Sequence, residues 1–180
     1  MSAPASSVGR IELSLTEWVV LALLAEGPTH GFAIAKALRP GTDLGRVFTV
    51  HRPLVYRALD RLVAGGLAES VQVERGEAGP DRTLLRPTRR GRAAVGRWLD
   101  RPVDHVRDLR IEFLVKLRLG QRRDRDPVVL VTAQRTALAA TFEQLTAGPD
   151  GDVVDLWRHH TATAAQAFLE SLAATIDVGS

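Results

Sequence analysis

The sequence predicts a mainly α-helical chain with a small β-hairpin: a winged helix-turn-helix followed by a C-terminal helical region. Three observations carry that prediction. A capping signal at Ser14 opens an apolar helix, and two more helical patterns follow before Gly65-Gly66. Two short strand-like runs then flank a tip rich in Gly, Pro and charge. Beyond Pro102 the apolar spacing is helical throughout.

Taken in order, Ser14-Leu15-Thr16-Glu17 has the capping-box form, with Ser14 as N-cap and Glu17 reaching back. The apolar run 18–25 covers much of its helix circumference, which predicts burial, and Gly27-Pro28 ends it. Thr29 is the expected cap of a short helix over 30–38, with Ile34, Ala37 and Leu38 inward. Arg39-Pro40-Gly41 stops that helix, and 42–50 reads as turn and loop. A third helix, 53–64, opens on Pro53, whose missing N–H has no helical partner in a first turn. Val55, Leu59, Leu62 and Val63 form its expected core face, and Tyr56, Arg57, Asp60 and Arg61 its outer face.

Residues 67–73 follow as a strand, with Leu67, Val71 and Val73 as its apolar positions. Residues 74–82 form the hairpin tip and 83–86 the return strand. Thr88 caps a fourth helix that runs through Leu99. Three amphipathic helices are then expected over 108–120, 127–147 and 152–176, the first with Leu109, Phe113 and Leu117 on one stripe. Such helices pack on one another, within a chain or between two.

Composition removes several function classes. A chain 45% hydrophobic and 25% charged is globular rather than disordered. The absence of cysteine excludes disulfides and thiolate sites. Residues 1–10 lack the basic start and apolar stretch of a secretory signal. The longest apolar run is too short to cross a bilayer, so no membrane partner and a cytoplasmic location are expected. No phosphate-binding glycine loop, His-Glu-x-x-His or Gly-x-Ser-x-Gly is present, so no enzyme activity, cofactor or metal is expected. His159 and His160, adjacent on a helix, point about 100° apart and are poorly placed to share a metal. The net charge of +3 is uneven: residues 1–100 carry 14 Lys+Arg against 10 Asp+Glu, and residues 101–180 carry 10 against 11. Only Lys36 and Lys116 are lysines, and arginine forks suit phosphates and base edges.

Four stretches then resemble the PadR-like transcriptional regulators, in the branch with a longer helical C-terminal region. They are 18–31 (WVVLALLAEGPTHG), 54–67 (LVYRALDRLVAGGL), 79–91 (GPDRTLLRPTRRG), and the pair 108–119 (DLRIEFLVKLRL) with 155–172. The chain departs from the family pattern at Arg52-Pro53 before the third helix, at Arg57 after Tyr56, and at Leu85 and Pro87. Those departures bear on the bound sequence more than on the fold. The resemblance implies a homodimeric regulator, usually a repressor, paired through its C-terminal helices and first helix. Some members release DNA when a phenolic or drug-like molecule binds.

The expected division is therefore a DNA-binding domain over 14–100 and a C-terminal helical dimerisation domain over 103–177. Arg52, Arg57, Thr49 and His51, around the start of the third helix, are candidate contacts to double-stranded DNA. Tyr56 reaches a phosphate or packs at the junction with the hairpin; Arg61 contacts DNA or balances charge. Arg75 and Arg82 flank the wing tip as contacts or as an ordinary charged hairpin. Arg89, Arg90 and Arg92 crowd a helix N-terminus, which favours anions rather than cations. His30 is expected to make a structural hydrogen bond. Trp18, Trp98 and Trp157 line a pocket for a small aromatic effector or pack a dimer core. Two chains paired through 108–176, with help from 14–26, would set two third helices about 34–36 Å apart on an inverted repeat. The competing class is a winged-helix protein-interaction module without DNA binding, which so modest a charge also permits.

Overall fold

The computed structural model describes residues 12–74, 82–148 and 151–177. In order they form α1 (Leu15–Leu24), α2 (Gly31–Ala37), α3 (Arg52–Ala64), β1 (Ala68–Glu74), β2 (Arg82–Pro87) and α4 (Arg89–Asp100). A 3-10 helix (Val106–Arg110), α5 (Glu112–Gln121), α6 (Pro127–Thr146) and α7 (Val153–Asp177) follow. The chain is thus mostly helical with a two-stranded antiparallel hairpin and a C-terminal helical region, as its periodicity predicts. Among the described residues no helix is long and apolar enough to cross a membrane.

The local signals act where they were read. Ser14 Oγ accepts from the Glu17 N–H at 3.3 Å, and the Ser14 N–H donates to Glu17 Oε2 at 2.7 Å. Residues 19–24 of α1 are then almost wholly buried, and each such aliphatic side chain contributes about 1.5–3 kcal/mol. α3 ends in paired backbone bonds, Gly66 N–H to Val63 O and Leu67 N–H to Leu62 O. That closure needs φ +65° at residue 66, a conformation only glycine adopts cheaply. Thr88 caps α4 by accepting from the Gly91 N–H at 3.1 Å.

Long-range pairing decides the details that differ. Thr29 does not cap α2. Its N–H and carbonyl pair with Leu85 at 3.0 and 2.8 Å, adding one rung beside the hairpin. His30 takes the cap, its Nδ1 accepting from the Ala33 N–H at 3.1 Å, which is the structural bond expected of it. The hairpin register slips between Ser70 and Gln72, where Val71 bulges out and is exposed rather than inward. Val63 likewise faces out at 43% exposure, and Ala58 fills the inner face of α3 instead. The helix expected over 108–120 is broken at Ile111 into the 3-10 turn and α5, although Leu109, Phe113 and Leu117 still enter one cluster.

Two apolar clusters result. The first joins α1, α2, α3, α4 and the base of the hairpin, and takes Val115 and Leu119 from α5. The second joins Val103, the 3-10 turn, α5, α6 and α7. α5 therefore serves both, and ions lace it to the first: Arg122 pairs with Glu26 at 2.6 Å, Arg118 with Asp43, and Arg125 with Asp100. The second cluster is pinned at its start by buried Gln134, whose amide accepts from the Val103 N–H at 2.8 Å and donates to the Val103 carbonyl at 3.0 Å.

Candidate nucleic-acid interface

The outer face of α3 collects most of the residues singled out in the sequence. His51 occupies its N-cap position without a side-chain capping bond, so the imidazole is exposed. Thr49 is exposed just before it, with its hydroxyl donating to the Gly45 carbonyl at 2.8 Å. Arg52, Tyr56 and Arg57 are exposed along the first turns, with Arg52 and Tyr56 on one stripe. Among the described residues neither Arg52 nor Arg57 has an acidic partner. Two guanidiniums not neutralised by an acid among the described residues, beside the N-terminus of a 13-residue helix, make an anion-attracting surface.

Arg61 has a different post. Its Nε lies 3.0 Å from Glu17 Oε1, and that carboxylate is 2% exposed. Leaving such a carboxylate unpaired is costly, so Arg61 is tied to the core of the winged region. Sequence spacing suggested Asp60 as its counter-charge; the partner is 44 positions earlier, beyond the reach of any local pattern. Arg75 lies outside the described residues, as does the side chain of Arg82, whose backbone pairs with Glu74 in the hairpin. In the Arg89–Arg92 group, Arg90 donates to the Gly65 carbonyl at 3.3 Å and Arg92 to the Pro87 carbonyl at 2.8 Å. Those two close the ends of α3 and β2, and Arg89 stays exposed.

The three tryptophans do not converge. Trp18 and Trp98 stack, with centroids 5.4 Å apart and planes within 2°. They line a cavity of about 880 Å³ between α1, α4, the 101–105 segment and α5. Trp157 is 72% exposed on α7 and borders a separate hollow with Leu145 and His105. At the floor of the first cavity Trp98 Nε1 donates to Glu112 at 2.9 Å. Lys116, 2% exposed, pairs with the same carboxylate at 2.8 Å, donates to the Arg101 carbonyl at 3.0 Å and lies over the Trp98 ring. Burial pushes its ammonium below the usual lysine range, against the pull of Glu112. The sequence reading missed Lys116, since its signal was only one lysine inside an apolar stripe. His159 Nδ1 lies 2.9 Å from the Leu145 carbonyl, and no cluster of three or more metal-ligating side chains occurs among the described residues.

Residues 20–97 match the model of the transcriptional regulator PadR-like family. No protein of curated function matches the chain. Among solved structures it is similar to Bacillus subtilis PadR in complex with operator DNA, at 18% identity, covering 94% of this chain and 97% of that one, with a TM-score of 0.49. It is also similar to Bacillus subtilis PadR in complex with p-coumaric acid, at 18% identity over 91% and 99% of the two chains, TM-score 0.44. A Streptococcus mutans UA159 protein follows at 15% identity over 88% and 98%, TM-score 0.43.

Proposed function

We propose that this chain, whose residues 20–97 belong to the PadR-like transcriptional regulator family, is a repressor that binds an inverted-repeat DNA operator as a homodimer. The observation that carries the reading is the outer face of α3: Arg52 and Arg57 are exposed and, among the described residues, without acidic partners, while Arg61 on the same helix is tied inward. Among the described residues neither cation is neutralised by an acid where a recognition helix meets phosphates and base edges. The DNA-reading domain is 14–100 and the dimerisation domain 103–177, with α5 bridging them.

The homodimer is favoured by the apolar side chains that α7 presents outward, Val153, Val154, Leu156, Trp157 and Phe168. Two recognition helices on such a dimer reach successive major grooves, about 34–36 Å apart. Occupancy of a promoter then suffices for repression. The cavity beside the Trp18–Trp98 stack suits a flat aromatic effector, which would act by favouring a dimer geometry with mis-spaced recognition helices. Nothing in this scheme requires catalysis.

The test is a mobility-shift titration across salt concentrations, using duplexes selected from random sequence. Arg57→Ala should weaken binding to all duplexes and lower the salt slope by about one if it meets a phosphate. If Arg52→Ala and Arg57→Ala both bind as tightly as the unaltered chain, α3 is not the reading helix. A chain that selects no duplex at low salt is a protein-interaction module instead.

A further inference from the structure

We propose that Phe32 and Tyr56 hold Arg52 as a guanine-reading arm at the start of α3, so that Phe32 is a positioning residue for sequence recognition. The inference rests on the DNA-binding reading above and deepens it. The Arg52 guanidinium lies over the Phe32 ring, 5.6 Å from its centroid, and over the Tyr56 ring, 5.4 Å from its centroid. Both lie within the ~6 Å over which a ring face attracts a cation. Phe32 belongs to α2 and Tyr56 to α3, so the two helices of the motif grip one side chain between them.

The grip is fixed from below. The Tyr56 ring edge is set against Gly31, where a Cβ would fall 3.0 Å from Tyr56 Cε1 and 2.9 Å from Leu59 Cδ1. A side chain at residue 31 would therefore displace the Tyr56 ring and the end of Leu59. Its neighbour Phe32 is then carried to the surface, 39% exposed, beside the start of α3. One face of that ring meets the Arg52 guanidinium.

A free arginine loses rotamer freedom when it is ordered, and stacked rings remove part of that loss beforehand. A planar guanidinium lying flat on a ring keeps its in-plane N–H donors directed outward. Those donors match the paired acceptors O6 and N7 of guanine in the major groove. First-turn residues of a recognition helix are the ones that reach base edges, and Arg52 is the first residue of α3. Arg57, without a ring partner among the described residues, is assigned to the backbone.

The experiment is selection of bound duplexes from a random-sequence library by the full chain, repeated with Phe32→Leu, Phe32→Tyr and Arg52→Lys. The unaltered chain should enrich guanine at one symmetric position in each half-site. Arg52→Lys should lose that preference by about 5- to 150-fold, because a point charge cannot make the paired bonds. Phe32→Leu, which keeps apolar bulk without a ring face, should lower it about 2- to 5-fold at unchanged salt slope. Phe32→Tyr should retain it. If Phe32→Leu leaves the guanine preference intact, the inference falls and DNA binding stands. The same holds if Arg52→Lys weakens all duplexes equally with no change in base preference, which marks a phosphate contact. If the unaltered chain enriches no duplex, both readings fall together.

Discussion

The winged region and the C-terminal helices are closed to very different degrees. In α1 the consecutive residues 19–24 are all buried, covered by α3, α4 and α5 of the same chain. In α7 only Ala162 and Leu169 are buried, while Val153 is 77% and Trp157 72% exposed. The first region completes its core within one chain. The second buries its own cluster but leaves Val153, Val154, Leu156, Trp157 and Phe168 of α7 exposed. A helix pair with one apolar face outward is built for another surface, and under the proposed reading that surface is a second copy.

The largest test of the contrast is to empty the second core. Phe113 is fully buried where α5 meets α6 and α7, and Phe113→Ala should cost about 3–5 kcal/mol in denaturant unfolding. A cost below about 1 kcal/mol would mean that this cluster is not a true core in one chain. The next test strips the outer face instead. Trp157→Ala with Phe168→Ala should leave the helical circular dichroism unchanged and weaken self-association at least about tenfold in sedimentation, since buried aromatics dominate interface energetics. Unchanged association would remove the main support for pairing through α7.

The winged region is probed through its buried carboxylate. Arg61→Ala should destabilise by about 1–3 kcal/mol because Glu17 loses its partner inside the fold. Arg57→Ala should stay within about 0.5 kcal/mol of the unaltered chain, as expected of a surface site. Equal effects would erase the distinction between the inward and outward arginines of α3. The smallest effect is at the seam. Lys116 titrates lower when folded than its ordinary 10.5, so the unfolded chain binds more protons between the two values. Stability should therefore rise with pH across that window, and Lys116→Met should flatten the rise.

The PadR-like resemblance first seen in four stretches holds over residues 20–97, and the fold class follows the periodicity closely. Caps and stops were legible because they act over three to six residues. Ser14 with Glu17, Thr88 with Gly91, and Gly66 at the end of α3 meet partners within that span. The placement of Arg52, Tyr56 and Arg57 on one outer face was legible for the same reason, since helical spacing alone puts them there.

What required the tertiary structure was set by residues far apart in the chain. Thr29 gave up its capping role because Leu85 supplies a strand partner 56 positions later. Arg61 belongs to Glu17 rather than to Asp60 because α1 packs against α3. The helix breaks at Ile111, next to Glu112, whose carboxylate accepts from Trp98 of α4. Trp18 and Trp98 stack while Trp157 stands apart, which three isolated letters could not reveal. The sequence by itself determined which segments are helical and where the caps at Ser14 and Thr88 and the stop at Gly66 fall, because those depend on neighbours along the chain. Only the tertiary structure decided which arginines are anchored and which are free, because a charge is held by whatever the fold brings within about 4 Å of it.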